Sequence, residues 1–307
     1  MNKLLRAAKN LVKNPYLLYP YLGSLGFLNW LPDAVYLKGC FRARMGYKLD
    51  LGNPKTFNEK LQWLKLYDRN PAYTQMVDKY AVREYIKNTI GEEYLIPLLG
   101  VWDSFDEIDF DALPEQFVLK TNHDSGTVVI CKDKKTFDIE AARKKINGRI
   151  NYNYYHLWRE WPYKNVKSRI IAERYMQDKD SDCLNVYKIF NFSGIPTLVQ
   201  TIQNDKTPDE TIDYYDSQWQ LLDLRQNFPN SQNPLPCPEG FDEMISLAST
   251  LSVDFAFIRT DFYSINGRVY FSEFTFYSDA GFASFHPIEW DITLGNLINL
   301  PTKNDQD

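Results

Sequence analysis

Cysteine and histidine are scarce in this chain of 307 residues. The four cysteines (Cys40, Cys131, Cys183, Cys237) lie far apart and form no C-x-x-C pair, which argues against a clustered zinc site. A chain this long builds a core without disulfides, so the four are read as free, buried thiols in a reducing cytoplasm. The three histidines (His123, His156, His286) share no spacing that would gather them round a metal. Also missing is an apolar run of roughly 18 residues, so no membrane-spanning helix is expected. The N-terminus lacks a long apolar stretch and a small-residue cleavage site, so no signal peptide is expected. Without a G-x-x-x-x-G-K-[ST] loop, a G-x-G-x-x-G turn after a strand or a G-x-S-x-G elbow, P-loop kinases, Rossmann enzymes and α/β-hydrolases are disfavoured. Positive charge is short as well: 35 Lys and Arg face 40 Asp and Glu, a net charge of −5. That balance argues against a general nucleic-acid binder.

What is present is the composition of a folded protein, 44% hydrophobic and 15% aromatic, with a length that suggests about two units of roughly 150 residues. Residues 1–50 stand apart. Lys3, Arg6, Lys9 and Lys13 are basic, and no acid occurs before Asp33. Leu4, Leu5, Ala8, Leu11 and Val12 fall on one helical face, and an aromatic stretch, Tyr16 to Trp30, follows. A basic amphipathic helix with aromatic neighbours suits a lipid interface; the same pattern suits a helix packed on the body of the protein. Residues 54–90 read as helices: one carries Phe57, Leu61, Trp63, Leu64 and Tyr67, and another runs from Pro71 through Ile86 until Gly91 stops it. From residue 94 short apolar runs take over, among them FVLKTN, TVVICK, RIIAERYM, NVYKIFNF, TLVQTIQ, FAFIRTDFY and RVYFSEF. NFSGIP and SINGR join pairs of them as antiparallel hairpins. Helices are expected at about 137–157 and 239–252. The class is α+β.

Asp178, Asp180 and Asp182 alternate in DKDSD. As a calcium loop the run fails, because Cys183 and Ile189 stand where glycine and glutamate are needed. It remains either a solvated acidic turn or a D-x-D motif holding the metal of a nucleotide-sugar glycosyltransferase.

A distributed pattern is more informative. Lys120 ends an apolar strand and is followed by a polar turn containing Gly126, where a lysine and backbone N–H groups can meet phosphate. Glu173 ends another strand, with Tyr175 and Met176 after it. Lys188 interrupts an apolar strand, so it is expected to face a polar cleft. Asp261 and Glu273 flank the hairpin turn Ile265–Asn266–Gly267, and pairing across it would bring both carboxylates, with Thr275 nearby, to one face. Such oxygens suit Mg²⁺ carried by a nucleoside triphosphate.

This order resembles the ATP-grasp superfamily, and the flanking stretches NPKTFNEKLQWLKLYDRNP, VDKYAVREYI, LIPLLGVWDSFDEIDF, YKIFNFSGIPTLVQ, DYYDSQW, FIRTDFYSINGRVYFSEFTFYSDAGF and WDITLGNLINLP resemble its TupA-like family. The resemblance covers about residues 53–301. It implies an ATP-grasp fold of two α+β subdomains with antiparallel sheets clasping ATP, at 111–175 and 176–307, behind the helical segments 1–50 and 51–110. It implies that Lys120 contacts nucleotide phosphate under a loop of His123, Asp124, Ser125, Gly126 and Thr127. Glu173, Arg174, Tyr175 and Met176 would meet adenine. Lys188 would face the transferred phosphoryl group, and Arg259 the acyl phosphate or carboxylate substrate. Asp261, Glu273 and Thr275 would hold Mg²⁺, with Thr275 replacing the superfamily's usual asparagine. Ser278 and Gly281, together with Asp213, Tyr215, Asp216 and Trp219, would lie near the acceptor.

The activity so implied is ATP-dependent amide-bond formation through an acyl phosphate. It would join an amino acid or peptide to a uronic-acid-containing cell-surface polysaccharide in the cytoplasm, with residues 1–30 suited to the inner face of the membrane. A metal-dependent glycosyltransferase using DKDSD, or a member that only binds nucleotide, are the competing readings.

Overall fold

The structure, a computed structural model, describes residues 15–179, 184–205 and 207–301. Two short helices, Leu18–Ser24 and Asp33–Met45, open the described chain. Both fall within the segment 1–50 that was expected to be helical, although no helical face was singled out around Asp33–Met45. The apolar residues of that second helix are not confined to one stripe: Tyr36, Leu37, Cys40 and Phe41 are fully buried while Val35 is exposed. The amphipathic helix expected around Leu4–Val12 lies outside the described residues.

The helix Phe57–Tyr67 starts where a capping box forms, the Thr56 hydroxyl accepting from the Glu59 N–H while the Glu59 carboxylate accepts from the Thr56 N–H. The expected single helix from Pro71 to Ile86 is two, Ala72–Val77 and Val82–Thr89. Asp78 divides them: its carboxylate accepts from the N–H groups of Tyr80 and Ala81, a local turn that competes with helical bonding.

Two antiparallel sheets follow. The smaller contains β1 (Leu98–Trp102), β2 (Phe117–Thr121), β3 (Val128–Cys131) and β4 (Ile170–Arg174) in the order β1-β4-β2-β3. Its first strand lies ahead of residue 111, where the subdomain was expected to begin. Phe117 and Leu119 point from β2 into a core shared with Ala142 and Ile146 of the helix Ile139–Ile150. Val118 and Lys120 take the alternate positions and face the other way.

The larger sheet is built from β5 (Val186–Phe192), β6 (Ile195–Gln203), β7 (Thr211–Asp216), β9 (Ile258–Ile265) and β10 (Arg268–Thr275), in the order β10-β9-β5-β6-β7. β8 (Arg225–Gln226) and β11 (Phe285–His286) form a separate pair. Both hairpins anticipated in the sequence close on two residues with positive φ, Ser193 and Gly194 at 49° and 81°, Asn266 and Gly267 at 52° and 76°. Such turns match the twist of the strands they join. The helix Phe241–Ser252 covers one face of the larger sheet, contacting β5, β6 and β9. Phe57 packs edge-on against Phe257, 4.9 Å between ring centres, and close to Phe190, so the helix Phe57–Tyr67 joins the core of the larger sheet.

Cys40 and Cys131 are buried free thiols, but Cys237 is exposed, unlike the expectation, because it lies in the irregular stretch before the helix Phe241–Ser252. No helix among the described residues is long and apolar enough to cross a membrane.

Candidate active site

The two sheets present polar faces to a cleft of about 670 Å³. From the larger sheet comes a cross-strand row. Glu273 of β10 pairs with Asp261 of β9, Asp261 with Lys188 of β5, Lys188 with Gln200 of β6, and Gln200 with Tyr214 of β7. Directly paired residues share a face, so these five side chains line one side of the sheet.

A bulge makes the first pairing possible. From the Asn266–Gly267 turn, strict alternation would set Ser272 opposite Asp261 and turn Glu273 away. The register slips between Phe271 and Glu273, and Glu273 comes opposite Asp261 instead.

Lys188, Asp261 and Glu273 line the cleft from this side. Lys120 and Glu173 line it from the smaller sheet, where the Lys120 amine donates to the Glu173 carboxylate at 2.6 Å. Arg174, Tyr175 and Met176, entering the connection to the larger sheet, form part of the wall, as do Ser125 and Gly126 of the turn after β2. Gly126 has φ 93° and open space where a Cβ would stand.

The charges are interlocked. Burial alone would lower the pKa of Lys120, but the neighbouring Glu173 carboxylate outweighs it and holds the amine above its ordinary value. Lys188 is pushed below its ordinary value by burial and by Arg259, against the pull of Asp261 and Glu273. Burial opposes ionisation of Glu273, yet Lys79, Arg259, Lys188 and Lys120 together hold its carboxyl below the usual range. Burial raises Asp261 against the attraction of Arg259, whose guanidinium donates to both Asp261 oxygens at 2.7 Å.

Several expected site residues stand elsewhere. His123 and Asp124 are buried and do not line the cleft; they brace the turn. The Asp124 carboxylate accepts from the Thr121 hydroxyl, from the Thr127 hydroxyl at 2.6 Å and from Arg149 at 3.1 Å. That bonding also accounts for Thr127. Arg259 is buried and spends its donors on Asp261, on the Thr275 hydroxyl at 2.9 Å and on Ser278 at 3.3 Å. Thr275 therefore holds Arg259, and neither residue lines the cleft. Gly281, outside the cleft lining too, is packed so closely on Gln62 and Leu61 that a Cβ would sit 2.4 Å from the Gln62 amide.

The residues expected near the acceptor on β7 are turned away from the cleft by parity. Asp213 and Tyr215 flank Tyr214, so they point to the opposite face from Lys188. Trp219 stacks on Tyr215 at 4.2 Å and meets Phe241 of the covering helix. Asp216 caps the turn, accepting from the N–H groups of Gln218 and Gln220. Asp180 and Asp182 lie outside the described residues. Asp178 lines the cleft and accepts from the Asn266 N–H at 2.9 Å.

Sequence reasoning missed Lys79 and Arg83. Lys79 lines the cleft in the turn that Asp78 makes, 3.7 Å from Glu273, and donates to the Asp124 carbonyl oxygen at 2.5 Å. Arg83, one helical turn on, meets Glu173 at 3.4 Å and the Ile96 carbonyl at 2.8 Å. The available signal was Asp78 itself, a residue type whose side chain competes for backbone N–H groups and ends helices.

The donor chemistry fits a hard cation. Asp261 and Glu273 offer carboxylate oxygens on adjacent strands; each Asp261 oxygen keeps a lone pair beyond the one Arg259 uses, and Glu273 lies beyond hydrogen-bonding distance of Lys79. Among the described residues no cluster of three or more His, Cys, Asp or Glu side chains gathers for a metal.

Two antiparallel sheets closing on a cleft, with lysines on both walls and paired carboxylates on one, define an ATP-grasp architecture. The chain belongs to the TupA-like ATP-grasp family, whose pattern matches residues 59–299. Similar solved structures include the D-alanine–D-alanine ligase of Helicobacter pylori, 18% identical, covering 81% of this chain and 70% of that one, with a TM-score of 0.39. The L-amino acid ligase of Bacillus licheniformis is 14% identical, covering 80% and 56%, with a TM-score of 0.48. The D-alanine–D-alanine ligase of Bacillus anthracis complexed with ATP is 16% identical, covering 65% and 54%, with a TM-score of 0.39. The chain thus spans about half the length of that last ligase. No curated protein matches the chain significantly.

Proposed function

We propose that the protein is an ATP-dependent ligase that joins a carboxylate to an amine, using ATP and Mg²⁺. The observation that carries this reading is the row Glu273–Asp261–Lys188 facing Lys120 across one cleft. A carboxylate is a poor electrophile at neutral pH. Transfer of a phosphoryl group to it gives an acyl phosphate, from which an amine displaces phosphate to leave an amide. The transition states spread negative charge over phosphoryl oxygens, and fixed cations stabilise that charge best where water is excluded.

In this reading Lys120 and Lys188 hold the phosphates from opposite walls, with Lys79 beside them and the Ser125–Gly126 backbone closing over. Asp261 and Glu273 would hold Mg²⁺, which supplies charge neutralisation of the phosphates. Tyr175 and Met176 would meet adenine. Arg259 acts by fixing Asp261.

The substrates proposed are an amino acid or peptide and a uronic-acid-containing cell-surface polysaccharide or its precursor. The family resemblance supports that choice, and a lipid-linked glycan would put the enzyme at the inner face of the membrane. The test is an ATP-consumption screen of all the amino acids with a uronic-acid acceptor. ADP and phosphate released only when both partners are present, together with an amide product, supports the reading. Hydrolysis of a sugar nucleotide without ATP consumption would replace it with glycosyl transfer.

A further inference from the structure

We infer that the segment Tyr16–Val35 is a docking surface for an anionic lipid bilayer. Among the described residues, seven of the seventeen exposed large hydrophobic side chains fall within these twenty positions. Tyr21, Leu25, Phe27 and Trp30 are 59%, 55%, 65% and 77% exposed. Scattered apolar residues on a surface are ordinary, whereas this concentration is a patch.

The patch is held on a firm base. Gly23 packs against the Tyr36 hydroxyl and Gly39 against the Tyr19 ring, so closely that a Cβ would lie 1.9 Å from the hydroxyl oxygen and 2.3 Å from the ring. These contacts dock the helix Leu18–Ser24 onto the helix Asp33–Met45. Behind them the buried Arg159 donates to the Leu28 carbonyl at 2.8 Å, stacks on Tyr36 at 4.3 Å and meets Asp33 at 3.2 Å. The inward side of the segment is held by these contacts, while Tyr21, Leu25, Phe27 and Trp30 keep most of their apolar surface exposed.

Charge selects the partner. Residues 1–49 contain eight Lys and Arg against a single acid, Asp33, in a chain whose net charge is −5. Asp33 is paired with Arg69 at 2.6 Å as well as with Arg159. Exposed Trp, Phe and Tyr beside a basic segment match the headgroup region of an anionic leaflet, where aromatic rings partition and each basic residue adds attraction. A second copy of this chain would bring the same positive charge against itself. The inference is independent of the ligase reading.

The test is co-sedimentation of the full chain with vesicles of phosphatidylcholine alone and with about one-third phosphatidylglycerol. The wild type is expected to bind the anionic vesicles at least about tenfold more tightly than the neutral ones, with binding weakened by salt. The double variant F27S/W30S should lose about tenfold or more of that binding at unchanged thermal stability, since both side chains are exposed. K9E/K13E should remove the preference for anionic lipid. Failure of the wild type to sediment, or equal binding by F27S/W30S, overturns the inference. So does a wild-type dimer that ignores vesicles and that F27S/W30S dissociates, which would make the patch a contact between copies.

Discussion

Glu273 stands directly opposite Asp261 on the neighbouring strand, and it does so through a one-residue bulge after Phe271. A bulge re-aims every side chain beyond it, and here it sets the second carboxylate on the face that already holds Lys188. Glu273→Gln is expected to lower turnover about a hundredfold or more. The exchange S272E/E273S should not restore it, because position 272 is the residue the bulge sets out of register. Steady-state ADP release by the three proteins checks this.

Asp124 makes a stability prediction with a definite sign. Its buried carboxylate accepts from Thr121, Thr127 and Arg149, and although burial opposes ionisation these partners hold its pKa below the ordinary carboxylate value. A carboxyl depressed in the folded state stabilises that state when ionised. Its contribution is full above the unfolded pKa of about 4 and is lost as pH falls through the folded pKa. Asp124→Asn should cost about 1–3 kcal/mol at neutral pH and flatten the acid limb of a plot of Tm against pH.

Arg159 is a buried cation, 1% exposed, that donates to the Leu28 and His156 carbonyl oxygens and is ion-paired with Asp33. Asp33 keeps Arg69 and Tyr155 as partners, so the loss falls on the Leu28 and His156 carbonyl oxygens left without a donor, and Arg159→Ala should cost about 1–3 kcal/mol for each in urea unfolding. Arg159→Lys should recover little, since an ammonium cannot serve these acceptors while stacking on Tyr36.

Gly295 offers a packing test where the helix Glu289–Leu297 meets the start of the helix Phe57–Tyr67. A Cβ there would stand 2.3 Å from the Lys55 carbonyl oxygen and 2.7 Å from the Phe57 nitrogen, both backbone atoms. Gly295→Ala should therefore destabilise by about 1–3 kcal/mol, read from the denaturant midpoint.

Strand identity was legible because apolar runs and turn residues are local signals. FVLKT, VYKIF and the Asn266–Gly267 turn all fall where their composition says. Facing was harder. Lys188 announces a cleft by interrupting an apolar strand, but the expected acceptor residues Asp213 and Tyr215 stand one place to either side of Tyr214, and in a strand one place turns a side chain to the opposite face. The bulge is invisible to strict alternation, so Glu273 came to the correct face for a reason the pattern does not contain. Lys79 was missed because its role depends on a helix break set by Asp78. Asp124 looked like a phosphate-loop residue because polar turns that bind ligands and polar turns that brace themselves have the same composition.

The most direct measurement is calorimetric titration with a non-hydrolysable ATP analogue, with and without Mg²⁺. The wild type should bind it in a Mg²⁺-dependent manner. Lys120→Ala and Lys188→Ala should each weaken it about tenfold or more, and Glu273→Gln should abolish the dependence on Mg²⁺. Undiminished affinity in both lysine variants, or no binding by a correctly folded wild type, would contradict a triphosphate held between the two sheets.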